Sequence, residues 1–90
     1  MAKAVVDPAE LRRFAQELKR FNTMITDQMG VVRSRLGELG QSWRDQEQAK
    51  FVEEFEQTTK VLARFVNASE RHVPFLIRKA EKIEDYLNQR

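Results

Sequence analysis

The sequence predicts an all-α protein built as an antiparallel helical hairpin. Apolar residues recur every three or four positions through two long segments, which is the spacing of one face of an α-helix. Gly37 and Gly40 lie between the segments, close to the only tryptophan, Trp43. We therefore predict a single domain over residues 1–90, with helix 1 at about 8–40, a bend at about 41–45 and helix 2 at about 46–88.

Composition limits the class of protein. Hydrophobic residues make up 41% and charged residues 33% of the 90 residues, as expected for a folded domain with much exposed helix. The chain has no cysteine, so neither disulfides nor a thiolate metal site can supplement the small core of so short a domain. Its stability must come from helix packing.

Charge and hydropathy exclude two kinds of partner. The 16 basic and 14 acidic residues are interspersed, whereas a nucleic-acid-binding protein concentrates basic charge on one face or tail. No stretch approaches the roughly 18 apolar residues of a membrane span. The apolar run of Met1–Pro8 is too short for a signal peptide, so we expect a protein that is cytoplasmic or is secreted without a cleaved signal.

Helix 1 carries a clear start signal. Asp7 can cap the helix, Pro8 suits its first position, and Glu10 completes a capping-box spacing. Gly30 lies inside the helix but weakens it by only about 1 kcal/mol relative to alanine. The predicted apolar stripe consists of Leu11, Phe14, Leu18, Phe21, Ile25, Val32, Leu36, Leu39 and Trp43.

The bend is predicted from residues that weaken one helix and start the next. Gly37 and Gly40 disfavour continuation of helix 1, and Ser42 or Asp45 can accept hydrogen bonds from the free amides of helix 2. Asp45 and Gln48 repeat the cap-plus-three spacing. We expect Trp43 to be mostly buried at this end of the molecule.

Helix 2 has a regular seam with alternating steps of three and four residues. Three further aromatic residues each lie one position before a seam residue: Phe51, Phe65 and Tyr86. The apolar surface of helix 2 is therefore too wide for one partner helix to cover. Two hairpins that associate into a four-helix bundle would cover it. The seam contains Val52, Phe55, Thr59, Leu62, Val66, Ser69, Val73, Leu76, Ala80, Ile83 and Leu87.

The two patterns together predict the residues of the core or of the dimer interface. In chain order these are Leu11, Phe14, Leu18, Phe21, Ile25, Leu39, Phe51, Val52, Phe55, Leu62, Phe65, Val66, Leu76 and Ile83.

Three residues leave alternatives open. Pro74 interrupts hydrogen bonding within helix 2, so it either kinks one continuous helix or separates a third helix. Gln28 and Ser69 occupy core-like positions; as buried polar residues they would fix the register of packing, and at the edge of a bundle they would be solvated.

Catalytic chemistry finds no support. His72 is the only histidine, and Glu53, Glu54 and Glu56 lie in a solvated run without a histidine at ligand spacing. We predict a protein that is not an enzyme and has no metal, cofactor or small-molecule substrate.

The layout resembles the Trp-X-Gly (WXG) family of small proteins that are exported by the type VII (ESX) secretion system. The resemblance rests on the helical hairpin, Trp43 at the bend, Phe51 eight residues later and Tyr86 near the C-terminus. The family tripeptide reads Trp43-Arg44-Asp45, with Asp45 in place of glycine. Tyr86, the possible export signal, is followed four residues later by Arg90, where the family signal has an acidic residue.

The resemblance implies a dimer, either with a second copy or with a related helical hairpin. It also implies a secretion ATPase as a partner and a role as substrate, chaperone or adaptor. The residues alone leave one alternative, a structural hairpin subunit of a needle, phage or filament assembly.

Overall fold

The computed structural model describes residues 6–89, which form two antiparallel helices and, within that range, no strand. Helix α1 spans Pro8–Leu39 and helix α2 spans Gln46–Asn88. Met1–Val5 and Arg90, which entered the expectations about a signal peptide and an export signal, lie outside the described residues.

Helix α1 begins and ends at residues suited to those positions. The Asp7 carboxylate accepts a hydrogen bond from the Ala9 amide at 2.9 Å, and Pro8 occupies the first turn, where its missing N–H leaves no partner unsatisfied. At the other end, the Gly40 and Trp43 amides donate to the Leu36 and Leu39 carbonyls at 3.0 and 2.9 Å. Both bonds join residues four positions apart, so they continue the α-helical pattern past Leu39 and lead the chain into the bend.

The two helices pack along one row of residues from each. The row of α2 follows the predicted seam, with Val66, Ser69 and Ala80 buried. The α1 row differs from the predicted stripe, because Ala15 and Asn22 are buried. The α1 residues that are buried or half-buried in this seam are Leu11, Ala15, Leu18, Asn22, Ile25, Met29 and Leu36.

Small residues in the seam explain the difference on α1. Ala15 and Ala80 are 1% and 0% exposed, since short side chains let the helix backbones approach closely. Phe14 and Phe21 lie one position before Ala15 and Asn22 and remain 56% and 45% exposed. The predicted stripe therefore combined residues from two neighbouring rows.

A buried polar pair fixes the register of the helices. The Ser69 hydroxyl donates to Asn22 Oδ1 at 2.8 Å, and the two side chains are 5% and 2% exposed. Of the two polar residues expected at core-like positions, Ser69 is therefore buried. Gln28 is exposed in the single hairpin and lies outside the seam, which passes through Met29; its burial between two hairpins stays a prediction.

Pro74 lies inside α2, which continues through it as one helix to Asn88. The alternative of a separate third helix is therefore wrong. Neither helix in the described range 6–89 has an apolar stretch long enough to cross a membrane.

The hairpin is long and thin, measuring 69 × 24 × 17 Å. Within residues 6–89, the buried hydrophobic residues are Leu11, Ala15, Val66 and Ala80. Most large apolar side chains thus stay partly or largely exposed in one chain.

Candidate interaction surface

One side of the hairpin exposes aromatic and aliphatic side chains from both helices. The rings of Phe21 and Phe65 meet edge-to-face across the helices, with centroids 6.1 Å apart and planes at 86°. Phe21 lies one position before Asn22 of the α1 seam, and Phe65 lies one position before Val66 of the α2 seam. The contact therefore places these two neighbouring rows on the same side of the hairpin. We call this side the apolar face; it contains Phe14, Phe21, Val32, Leu39, Phe51 and Phe65, each 43% to 56% exposed.

Helical spacing generates the apolar face. Phe14 and Phe21 are seven residues apart, as are Val32 and Leu39, so each pair returns to nearly the same side of α1 after two turns. The face therefore runs as a strip along much of the hairpin, with Gln28 interrupting the α1 row between Phe21 and Val32. Strips of this kind mark protein interaction sites in soluble proteins.

The opposite side of the hairpin is polar and carries the ion pairs between helices. The Arg12 guanidinium donates two hydrogen bonds to the Glu84 carboxylate, at 2.9 and 2.8 Å. These bonds hold the pKa of the Glu84 carboxyl below its ordinary value and raise the pKa of Arg12. Further along, Arg33 lies 3.6 Å from Glu56. Because the ion pairs lie on this side, the two sides of the hairpin differ in chemistry.

A groove on the polar side lies between the helices beside Pro74. It has a volume of about 430 Å³. The buried Asn22 lines it, and Asn22 Nδ2 has no hydrogen-bond partner. The other lining residues are Lys19, Thr23, Glu70, Val73, Pro74 and Ile77.

At the tip, the residues of the family tripeptide have separate structural roles. The half-buried Trp43 packs against Phe51 with ring centroids 6.3 Å apart, and Phe51 stacks on Phe55 at 6.5 Å. Trp43 thus joins the bend to the first turns of α2. Its burial in a single chain is partial; mostly complete burial in a bundle, where a partner helix could also contact it, stays a prediction.

Arg44 and Asp45 cap the two helix ends that meet at the bend. Arg44 Nε donates to the Gly40 carbonyl at 3.1 Å, and the Asp45 carboxylate accepts from the Gln48 amide at 2.9 Å. Asp45 has φ −89° and ψ −174°, an extended conformation that does not require glycine. The aspartate therefore replaces the family glycine without backbone strain and supplies the predicted cap.

The structure places the predicted core and interface residues in two groups. One group lies in the seam between α1 and α2 and is buried or half-buried: Leu11, Leu18, Ile25, Val52, Phe55, Leu62, Val66, Leu76 and Ile83. The other group is exposed on the apolar face: Phe14, Phe21, Leu39, Phe51 and Phe65.

Sequence reasoning missed two features that join the helices. Asn22 pairs with Ser69 inside the seam, and Arg12 pairs with Glu84 near the open end. Asn22 could have been found from its spacing, because it lies four residues after Leu18 and three before Ile25, in the row that starts at Leu11. The ion pair had no comparable signal, because its residues are 72 positions apart.

The remaining candidate residues lie at the surface. Tyr86 is 75% exposed near the end of α2, and His72 is exposed on the same helix. Among residues 6–89, no group of three or more His, Cys, Asp or Glu side chains is arranged to hold a metal ion.

Comparison with known protein families identifies the class of protein. The WXG100 family, described as proteins of 100 residues with WXG, matches residues 4–86. The chain therefore belongs to the WXG100 family, and it is a type VII secretion-associated protein. A comparison with curated protein sequences finds no match.

Solved structures add a particular relative. Selenomethionine-labelled EsxB, a secreted protein of Bacillus anthracis str. Sterne, is similar at 27% identity and a TM-score of 0.75, over 98% of this chain and 100% of that chain. A single-residue variant of EsxB gives a TM-score of 0.81 at 26% identity, over 96% of this chain and 100% of that chain.

Proposed function

We propose that this chain works in type VII secretion as a non-enzymatic dimer that acts as substrate, chaperone or adaptor. The observation that carries the proposal is the apolar face, which leaves Phe14, Phe21, Phe51 and Phe65 about half exposed on one side of the hairpin. Pairing two such faces would bury both strips in a four-helix bundle. The partner is a second copy or a related hairpin.

Family membership supports the secretion role. EsxB, which shares the fold at about a quarter sequence identity, is a secreted protein. By analogy, this chain is expected to leave the cell as a folded hairpin pair, with a secretion ATPase as the second partner. The exposed Tyr86 is the candidate contact for export.

Solution mass tests the dimer. Sedimentation equilibrium at micromolar concentration is expected to give about twice the chain mass of 10.6 kDa. The variant Phe21→Glu/Phe65→Glu should give a monomer, because charges would be buried at the centre of the pairing surface. Phe75→Glu is the matched control: Phe75 is equally exposed but points away from α1, so its dimer should persist.

A monomeric, soluble wild-type protein that needs no partner hairpin would contradict the dimer. A mass that keeps growing with concentration would instead favour the filament subunit. Circular dichroism of each variant separates loss of pairing from loss of helix.

Export tests the secretion role. Because Arg90 replaces the acidic residue of the family signal, the chain expressed alone in a cell with the apparatus is expected to be secreted poorly, and Arg90→Glu to be secreted better. Co-expression of a partner hairpin should restore export of the unaltered chain. Efficient export of the unaltered chain without any other hairpin would refute this dependence.

A further inference from the structure

The side of α2 that faces away from α1 carries a further row of residues, with alternating steps of three and four. Apolar residues and arginines alternate in this row, and each type recurs every seven residues. We call it the outer face; it contains Val61, Arg64, Ala68, Arg71, Phe75 and Arg78, and Lys82 extends it by one turn.

The hairpin does not use the outer face. Phe75 follows the buried Val66 by nine residues, which is about two and a half helical turns, so the two project from opposite sides of α2. Val61 and Phe75 are 56% and 53% exposed. The three arginines are also exposed. The apolar face lies between the outer face and α1, so pairing through it leaves the outer face in solvent.

The arginines of the outer face contribute to none of the ion pairs in the described residues. Within residues 6–89, the arginines that lie within 4.0 Å of a carboxylate are Arg12, Arg20 and Arg33. Phe75, Arg78, Lys79 and Lys82 line a shallow depression of about 270 Å³. The outer face therefore combines unneutralised positive charge with exposed apolar groups.

We infer that the outer face docks an acidic amphipathic helix of a partner protein. A helix that alternates apolar and acidic residues at the same spacing would cover Val61 and Phe75 and place a carboxylate beside each arginine. Arginine suits this role because its planar guanidinium binds carboxylates through two parallel hydrogen bonds. Ala68, in the middle, leaves room for a larger apolar side chain of the partner.

The pattern favours a helix over a membrane or a nucleic acid. A helix that lies in a membrane needs a broad apolar face, whereas here the apolar row is one residue wide. Arginines seven residues apart are separated by about 10.5 Å, so they would reach only about every third phosphate of a DNA strand. Val61 and Phe75 would then face the charged backbone.

Peptide binding tests the inference. The probe is a fluorescent synthetic peptide of about three heptads, with leucine and glutamate at the positions that oppose the apolar residues and the arginines. The wild-type dimer is expected to bind it. The variant Arg64→Glu/Arg71→Glu/Arg78→Glu should bind about tenfold more weakly or worse, since three exposed charge pairs are reversed. A peptide with lysine in place of glutamate should bind this variant and not the wild type.

The control variant Arg13→Glu/Lys19→Glu/Arg20→Glu makes the same charge change at exposed positions of α1 outside the apolar face and should leave binding unchanged. Phe75→Ser should weaken binding severalfold with no change of charge, which keeps the test decisive if the triple variant fails to fold. The inference would be overturned if the control variant bound the peptide as weakly as the triple outer-face variant. It would also be overturned if the wild type bound a scrambled peptide equally well. Tighter binding of phosphatidylglycerol vesicles or duplex DNA than of the peptide would also overturn it. Dimer mass is independent of these results, so the proposed function is tested separately.

Discussion

At the scale of single residues, Asn22 and Ser69 show how a polar pair can specify a helical hairpin. Their hydrogen bond of 2.8 Å lies inside the seam, in an environment of apolar side chains. Sliding one helix past the other would separate the two and leave Asn22 Oδ1 without its donor, whereas the Ser69 hydroxyl could still donate to the Val66 carbonyl. The pair therefore adds specificity of register, although Asn22 Nδ2 remains buried without an acceptor.

The substitution Ser69→Ala is expected to destabilise the protein by about 1–3 kcal/mol, because Asn22 Oδ1 would stay buried without its donor. Replacing both residues, as Asn22→Leu/Ser69→Ala, should recover most of this loss since no polar group remains unsatisfied. Urea denaturation at fixed protein concentration measures both effects, and Ser34→Ala on the exposed side of α1 serves as control. A double variant as unstable as the single one would contradict the explanation.

The ion pair between Arg12 and Glu84 predicts a dependence of stability on pH. The hydrogen bonds from Arg12 lower the pKa of Glu84 in the folded state. The contribution of Glu84 is therefore complete above its unfolded pKa and is lost as the pH falls through the folded value. Glu84→Gln should reduce the loss of stability between pH 7 and the acid range below about pH 4. If Glu84→Gln lost as much stability on acidification as the control Glu53→Gln, the ion pair would not account for the pH dependence.

At the scale of helices, α2 shows what the sequence could predict. Its seam from Val52 to Ile83 keeps steps of three and four throughout, and the same row packs against α1, so pattern and packing agree. On α1 the large aromatic residues Phe14 and Phe21 lie outside the row that packs in the hairpin. Close approach of two helices favours small residues such as Ala15. A search for periodic large apolar residues overlooks them, because alanine is only weakly hydrophobic.

Pro74 shows what the sequence could and could not predict within α2. The sequence left open whether the helix continues through Pro74, and the structure shows one helix to Asn88. The groove beside Pro74 could not be predicted, because its walls come from both helices. The sequence pattern of one chain also cannot identify which partner binds the apolar face or the outer face.

The substitution Pro74→Ala is expected to stabilise the protein, by up to about 3 kcal/mol, because alanine supplies the amide hydrogen that the Glu70 carbonyl lacks and removes a clash with the preceding turn. Pro8→Ala is the matched control, since a proline in the first turn of α1 displaces no hydrogen bond. Chemical denaturation compares the two. Destabilisation by Pro74→Ala would mean that local bending at Pro74 is required for packing against α1.

At the scale of the whole molecule, one hairpin is elongated and has a small core. Its radius of gyration is 20.2 Å, against about 12 Å for a compact domain of this length. Much of the apolar surface of α1 and α2 thus remains in water. Pairing through the apolar face would convert this surface into a shared core, so folding and association should be coupled.

Coupling of this kind predicts that stability depends on protein concentration. For a dimer that unfolds directly to separated chains, each tenfold increase in concentration should add about 1.4 kcal/mol to the apparent free energy of unfolding per dimer. The midpoint of thermal unfolding should therefore rise with protein concentration over a hundredfold range. The midpoint of Phe75→Ser should rise in the same way, because Phe75 lies outside the apolar face. A wild-type midpoint that does not change with concentration would show that the single hairpin folds by itself and that pairing is a separate, later step.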